Sequence, residues 1–110
     1  MPQRREAMLK GTLDLLILRT LDLQPRHGLG VSDRIAQITG GTFLVKPGSL
    51  FPALHRLEQE GDIEGEWGES EQGRRAKVYR ITPAGRRRLI RDRRTWDRIV
   101  LAVSQVLDAT

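Results

Sequence analysis

An α+β fold, mainly α, is predicted by three features of the chain. The first is a short helix opening at Lys46-Pro47-Gly48-Ser49, in which Leu50, Leu54 and Leu57 recur at i, i+4 and i+7 as one buried stripe. The second is the pair of segments after it, Ile63 to Trp67 and Lys77 to Ile81, each alternating with period two and joined by Gly68 to Ala76. The third is a heptad-like apolar repeat beyond Thr82-Pro83. With two more helical patterns upstream, the order is helix, short helix, connector, helix, hairpin, long helix. That is the order of a winged helix-turn-helix with a long C-terminal dimerisation helix.

Taken in order, residues up to about Ala7 read as a frayed arm. From about Met8 to Leu23 the apolar positions Leu9, Leu13, Leu15, Leu16, Ile17, Leu18, Leu21 and Leu23 wrap most of the way round a helix. A helix apolar on more than one face must be covered on more than one face, so Leu13 and Leu16 are candidates for a second subunit. Gln24 to Gly30 is a turn-rich connector. Ser32 is a suitable N-cap for the next helix, whose inner face is Val31, Ile35 and Ile38 and whose end is Gly40-Gly41. Thr42 to Val45 is expected to add a third strand beside the hairpin. In the next helix Pro47 sits in the first turn, where its missing N–H costs nothing, and Gly61 terminates the segment. Thr82-Pro83 caps the last helix, expected to run to about Leu107. Its stripe is Leu89, Trp96, Val100, Val103 and Leu107, widened by Ile99 and Val106. Residues 1–82 then form the helix-turn-helix and wing, residues 83–110 the dimerisation helix, and together they make one compact unit.

Charge says where a partner would sit. The chain of 110 residues carries a formal net charge of +5. Glu58, Glu60, Asp62, Glu64, Glu66, Glu69 and Glu71 follow one another with no Lys or Arg among them, and arginines then crowd the stretch from Arg74 to Arg98. A positive field concentrated on the second hairpin strand and the last helix favours a polyanion. With no cysteine, neither disulfides nor thiolate metal sites hold this fold. No signal peptide, membrane span or membrane association is read, which suits a cytoplasmic protein.

Catalysis finds no support. His27 and His55 lie in different segments, no His/Cys/Asp/Glu set has metal-ligand spacing, and no cofactor motif is present. Gly40 to Ser49 faintly suggests a phosphate loop, but it lacks the Gly-Lys-Ser/Thr ending and Pro47 removes an amide such a loop would use. The bland reading of the Pro47 helix is a core helix whose polar face meets water. Arg74, Arg75 and Lys77 favour double-stranded DNA, since a basic hairpin tip beside a helix-turn-helix suits phosphate and minor-groove contact. Lys46, Ser49, Phe51, Pro52, His55 and Arg56 are the candidate contacts of the helix itself. Arg86, Arg87, Arg88, Arg91, Arg93 and Arg94 read as a solvated face or as partners of the acidic stretch. Trp67 is expected to pack in the hairpin and Trp96 in an interface, where two symmetry-related rings have room to sandwich a flat ligand.

These residues resemble a known family. Leu9-Lys10-Gly11-Thr12-Leu13, His27-Gly28, the run from Pro47 to Glu58, Glu66-Trp67-Gly68 and the run from Tyr79 to Gly85 are similar to the PadR-like transcriptional regulators. The resemblance implies a winged helix-turn-helix repressor that dimerises through its first and last helices, in a short form with one helix after the wing. Some relatives respond to phenolic acids or hydrophobic drugs near the dimer interface, which implies a small hydrophobic or aromatic effector. The chain departs from the pattern at Phe51, usually tyrosine, at Lys46, often a serine-like cap, and at Leu29, often aromatic. The expected function is a homodimeric regulator, a repressor reading a palindromic operator. Two rivals stay open: a winged-helix interaction module docking an acidic protein, and a non-specific nucleic-acid binder.

Overall fold

The computed structural model describes residues 11–69 and 73–110. The expected frayed arm and the helix start near Met8 lie outside them. The elements are α1 (Thr12–Leu23), β1 (Arg26–His27), α2 (Gly28–Ile38), α3 (Pro47–Gln59), β2 (Ile63–Glu69), β3 (Arg75–Ile81) and α4 (Pro83–Leu107). The sheet is antiparallel in the order β1-β3-β2.

The core is the meeting of α1, α2 and α3 with the base of the hairpin. Ile17, Leu18 and Leu21 of α1 pack with Val31 and Ile35 of α2, the predicted stripe of Leu50, Leu54 and Leu57, and Ile63, Tyr79 and Ile81 of the sheet. Each leucine of the α3 stripe is fully buried, and such burial stabilises by roughly 1.5–3 kcal/mol per side chain. That leaves α3 pinned along one side and open on the other.

Two local expectations are corrected. The third strand is Arg26–His27, which pairs with Tyr79 and Val78, and not Thr42 to Val45. The reason is local hydrogen bonding: the Phe43 N–H donates to the Thr39 hydroxyl at 3.1 Å, while Phe43 and Val45 turn their side chains against the core. Helix α2 starts at Gly28, straight out of β1, so Ser32 is an interior residue and not an N-cap. Its hydroxyl donates to the Leu29 carbonyl at 3.0 Å.

The ends of α3 and α4 follow their capping chemistry. Pro47 occupies the first turn of α3, and Gly61 takes φ +82° to turn the chain into β2. The Thr82 hydroxyl accepts from the Gly85 N–H at 3.0 Å and donates to the Gly61 carbonyl at 2.6 Å, so one side chain caps α4 and ties it to the turn after α3. Helix α4 has 25 residues, about 37 Å of helix. Its first turns lie on α1 through Leu89, and everything from Asp97 onward is exposed.

Candidate nucleic-acid interface

The four buried positions of α3, Leu50, Ala53, Leu54 and Leu57, lie on one side of the helix. The residues between them therefore face away from the core. Gly48, Ser49, Phe51, Pro52, His55, Arg56 and Gln59 are all exposed. Pro52 has no N–H to give the Gly48 carbonyl, so the outer ridge carries an apolar ring beside a backbone acceptor. Phe51 is 42% exposed, and one edge of its ring lies on Gly28, where a Cβ would stand 2.8 Å from Cε1. Any side chain there would push the Phe51 ring outward. Lys46 precedes the ridge and is exposed.

Arg56 is placed differently from the other ridge residues. Its guanidinium donates two hydrogen bonds to Asp14 of α1, at 2.7 and 2.8 Å. Arg88 of α4 donates to the same carboxylate at 2.9 Å. Burial works against ionisation of Asp14, but the hydrogen bond from Arg56 and the charges of Arg56 and Arg88 outweigh it and hold the carboxyl below its usual range. Arg56 is thus folded back along the flank of the ridge toward α1.

The wing brings the remaining cations together. Cross-strand pairs share a face of the sheet, so the inner face grades from Ile63 and Ile81 through Gly65 and Tyr79 to Trp67 and Lys77 and finally Glu69 and Arg75. Arg75 lies 5.0 Å from the centroid of the exposed Trp67 ring, a cation–π contact that props the guanidinium at the tip. Arg74 is exposed beside it. Lys77 sits further in. Its ammonium donates to Glu58 of α3 at 2.8 Å, a bond that raises the lysine's pKa and ties the wing to the end of the helix. Lys77, an expected DNA contact, is thus held as a strut between the two elements.

Among the acidic residues of the sequence, those nearest the helix end are taken up internally. Glu60 and Asp62 accept from Arg88 at 3.0 and 2.8 Å, and Asp92 accepts at 3.2 Å. Asp22 accepts from Arg86 at 3.0 Å. On the wing itself Glu69 stands directly across from Arg75, and Glu64, Glu66 and Glu69 are exposed. The hollow beside Arg88, about 540 Å³, is lined by Glu60, Asp62, Ala84, Arg87, Arg88, Arg91 and Asp92, a mostly charged surface. Among the described residues no group of three His, Cys, Asp or Glu is arranged to hold a metal, and no helix is long and apolar enough to cross a membrane.

The predicted interface residues divide. Leu89 is a correction: it is 8% exposed and belongs to the domain's own core, because Gly85 lets the start of α4 settle onto the turn after α3. Leu13 and Leu16 are half-buried against that core. Trp96 is half-buried, while Ile99, Val100, Val103, Val106 and Leu107 are exposed. Asp14 and Arg88 were not among the predicted site residues. The available signal was a lone carboxylate inside the apolar first turns of α1, which a buried helix face tolerates only with a cation against it.

A helix held by one face, open on the other, and flanked by a basic hairpin defines a winged helix-turn-helix DNA-binding regulator. Residues 17–91 match the model of the transcriptional regulator PadR-like family, and the chain belongs to that family. Among solved structures, a PadR-like transcriptional regulator from Bacillus cereus is 32% identical with a TM-score of 0.79, over 94% of this chain and 98% of that one. A transcriptional regulator from Clostridium thermocellum is similar at a TM-score of 0.80 and 28% identity, over 87% of this chain and 93% of that one. A transcriptional regulator of Mycobacterium tuberculosis is 44% identical over 61 residues, 56% of either chain, so this chain spans little more than half of that relative's length. The protein is a transcriptional regulator of the PadR family, a DNA-binding protein and not an enzyme.

Proposed function

We propose that the protein is a homodimeric repressor that reads a palindromic operator. The observation that carries this is the juxtaposition of the open α3 ridge, from Ser49 to His55, with the cationic wing tip at Arg74 and Arg75. Residues 1–82 supply that reading head. Dimerisation falls to the part of α4 from Trp96 to Leu107, where Ile99, Val100, Leu101, Val103, Val106 and Leu107 are exposed. Two heads related by a two-fold axis place their α3 helices in successive major grooves. Ser49, Pro52 and His55 meet base edges, Lys46 and the wing arginines meet phosphate, and Phe51 supports the ridge through its ring. A small aromatic effector stacking between Trp96 and its symmetry mate would alter the spacing of the two heads. Working on DNA, the regulator acts in the cytoplasm.

The deciding experiment titrates labelled fragments from the protein's own promoter region, with random duplex as comparator, at several salt concentrations. A specific complex whose log affinity falls steeply with log salt is expected. Equal affinity for all duplexes would leave only non-specific binding, and no complex at any salt would favour an acidic protein as the partner of the basic face.

A further inference from the structure

Asp14 serves two guanidiniums that differ in what they stand to lose. Arg88 also holds Glu60, Asp62 and Asp92, and its side chain is only 20% exposed. Arg56 has Asp14 in a bidentate pair and Glu60 at a looser 3.9 Å, and it is 47% exposed. It lies one and two helical turns beyond Pro52 and Ser49, on the same edge of the ridge. If Arg56 leaves, Asp14, 8% exposed, keeps Arg88, so no buried carboxylate is stranded without a cation. A phosphate oxygen pair offers the guanidinium the same fork geometry that the carboxylate does.

We propose that Asp14 is a positioning residue for DNA binding: in the free protein it folds Arg56 back onto α1, and on the operator it releases Arg56 to a backbone phosphate while Arg88 retains the carboxylate. This rests on the reading of α3 as the groove-entering helix. The clasp lowers affinity for any duplex by the cost of opening it, and it keeps a cation off the ridge until a phosphate is in place.

The test compares the full-length protein with Asp14→Asn, Arg56→Met and the double variant, each titrated with its operator fragment across a salt series. Asp14→Asn removes the clasp, so operator affinity is expected to rise about three- to fivefold per subunit, the scale of a partly exposed ion pair. Its salt slope should match that of the native protein, because Arg56 reaches phosphate in both. Arg56→Met is expected to flatten the slope by about 0.9 per subunit. In the Arg56→Met background the gain from Asp14→Asn should vanish. Arg56→Met leaves Asp14 paired with Arg88 and so keeps the fold, which makes its slope decisive even if Asp14→Asn is poorly folded. A native-like slope in Arg56→Met, or a gain from Asp14→Asn that persists without Arg56, would overturn the proposal while leaving operator binding intact. Loss of the parent reading shows separately, as a native protein that forms no operator complex at all.

Discussion

Arg88 Nη1 stands 2.8 Å from Asp62 Oδ2, and that contact joins the first turns of α4 to the turn between α3 and the wing. The same side chain reaches Asp14 of α1 and Glu60 at the end of α3. Lys77 and Glu58 make a second link, from the wing to α3. The reading head is thus braced to the long helix by side chains that the hydrophobic core does not supply.

The acid limb of stability follows from Asp14. Its carboxyl titrates below the ordinary value of 3.8 in the folded protein, because Arg56 and Arg88 outweigh the effect of burial. The unfolded chain therefore binds this proton more readily than the folded one. The stabilisation is fully present above the ordinary carboxylate range and is lost as pH falls through the depressed folded value. Denaturant midpoints measured downward from pH 5 should decline in the native protein below about pH 4, a region set by the reference carboxylate pKa. The same series on Asp14→Asn is expected to be flatter. Equal slopes in both would mean that other carboxylates carry the acid transition.

Gly85→Ala is expected to destabilise the fold by about 1–3 kcal/mol, the usual cost of forcing an atom into a packed contact. A Cβ there would collide with the Asp62 backbone carbonyl and press on Ile81 Cγ1. Backbone is what it meets, so rotamer change offers little relief. Thermal melting reads the loss directly. A melting temperature unchanged from the native protein would show that α4 is free to slide on the turn.

How much of this was legible beforehand depends on the range of the interaction. The Thr82-Pro83 start of α4 and the Leu50, Leu54, Leu57 face of α3 were readable because capping and periodicity are local. The hairpin was readable because alternation persisted over both strands. Strand β1 was not, since two residues between a helix end and a helix start show no period and owe their strand geometry to Tyr79 and Val78. Arg56 read as a candidate DNA contact with no internal partner because Asp14 is 42 positions away in the chain, and Arg88 is 74 positions from that same carboxylate. Nothing local announces such pairs. Leu89 fitted the heptad stripe of α4, yet the first turns of that stripe are spent on the domain's own core.

The wing is expected to contribute through Arg74 and Arg75. Replacing both with alanine removes two phosphate contacts per subunit, which should flatten the salt slope by about 1.8 per subunit. Operator affinity should fall by about sixtyfold per subunit near 0.1 M salt, on the same counterion-release arithmetic, roughly eightfold for each of the two contacts. Sedimentation should be unchanged, because the tip is remote from α4. A variant that binds operator normally but loses an acidic protein partner in pull-downs would assign the basic face to protein recognition instead.

The exposed end of α4 makes the remaining prediction. Val100 is 45% exposed, Val103 51%, and Val106 and Leu107 76% each, on a helix whose inner turns are already spent on α1. Large exposed apolar patches mark association sites, and this stretch is the one proposed to serve as such. Val103→Asp puts a charge into each side of the proposed seam. The expected cost is ~3–5 kcal/mol of dimerisation free energy, taking the penalty of an uncompensated buried charge. Sedimentation should then report monomers at concentrations where the native chain is dimeric. Far-UV circular dichroism should still report folded subunits, since the core ends at Leu89. Operator affinity should drop with the dimer, because a lone subunit holds one half-site and gives up the second contact set that the symmetric pair brings. If Val103→Asp sediments as the native protein does, the subunits meet elsewhere, and the half-buried Leu13 and Leu16 of α1 become the first surface to probe.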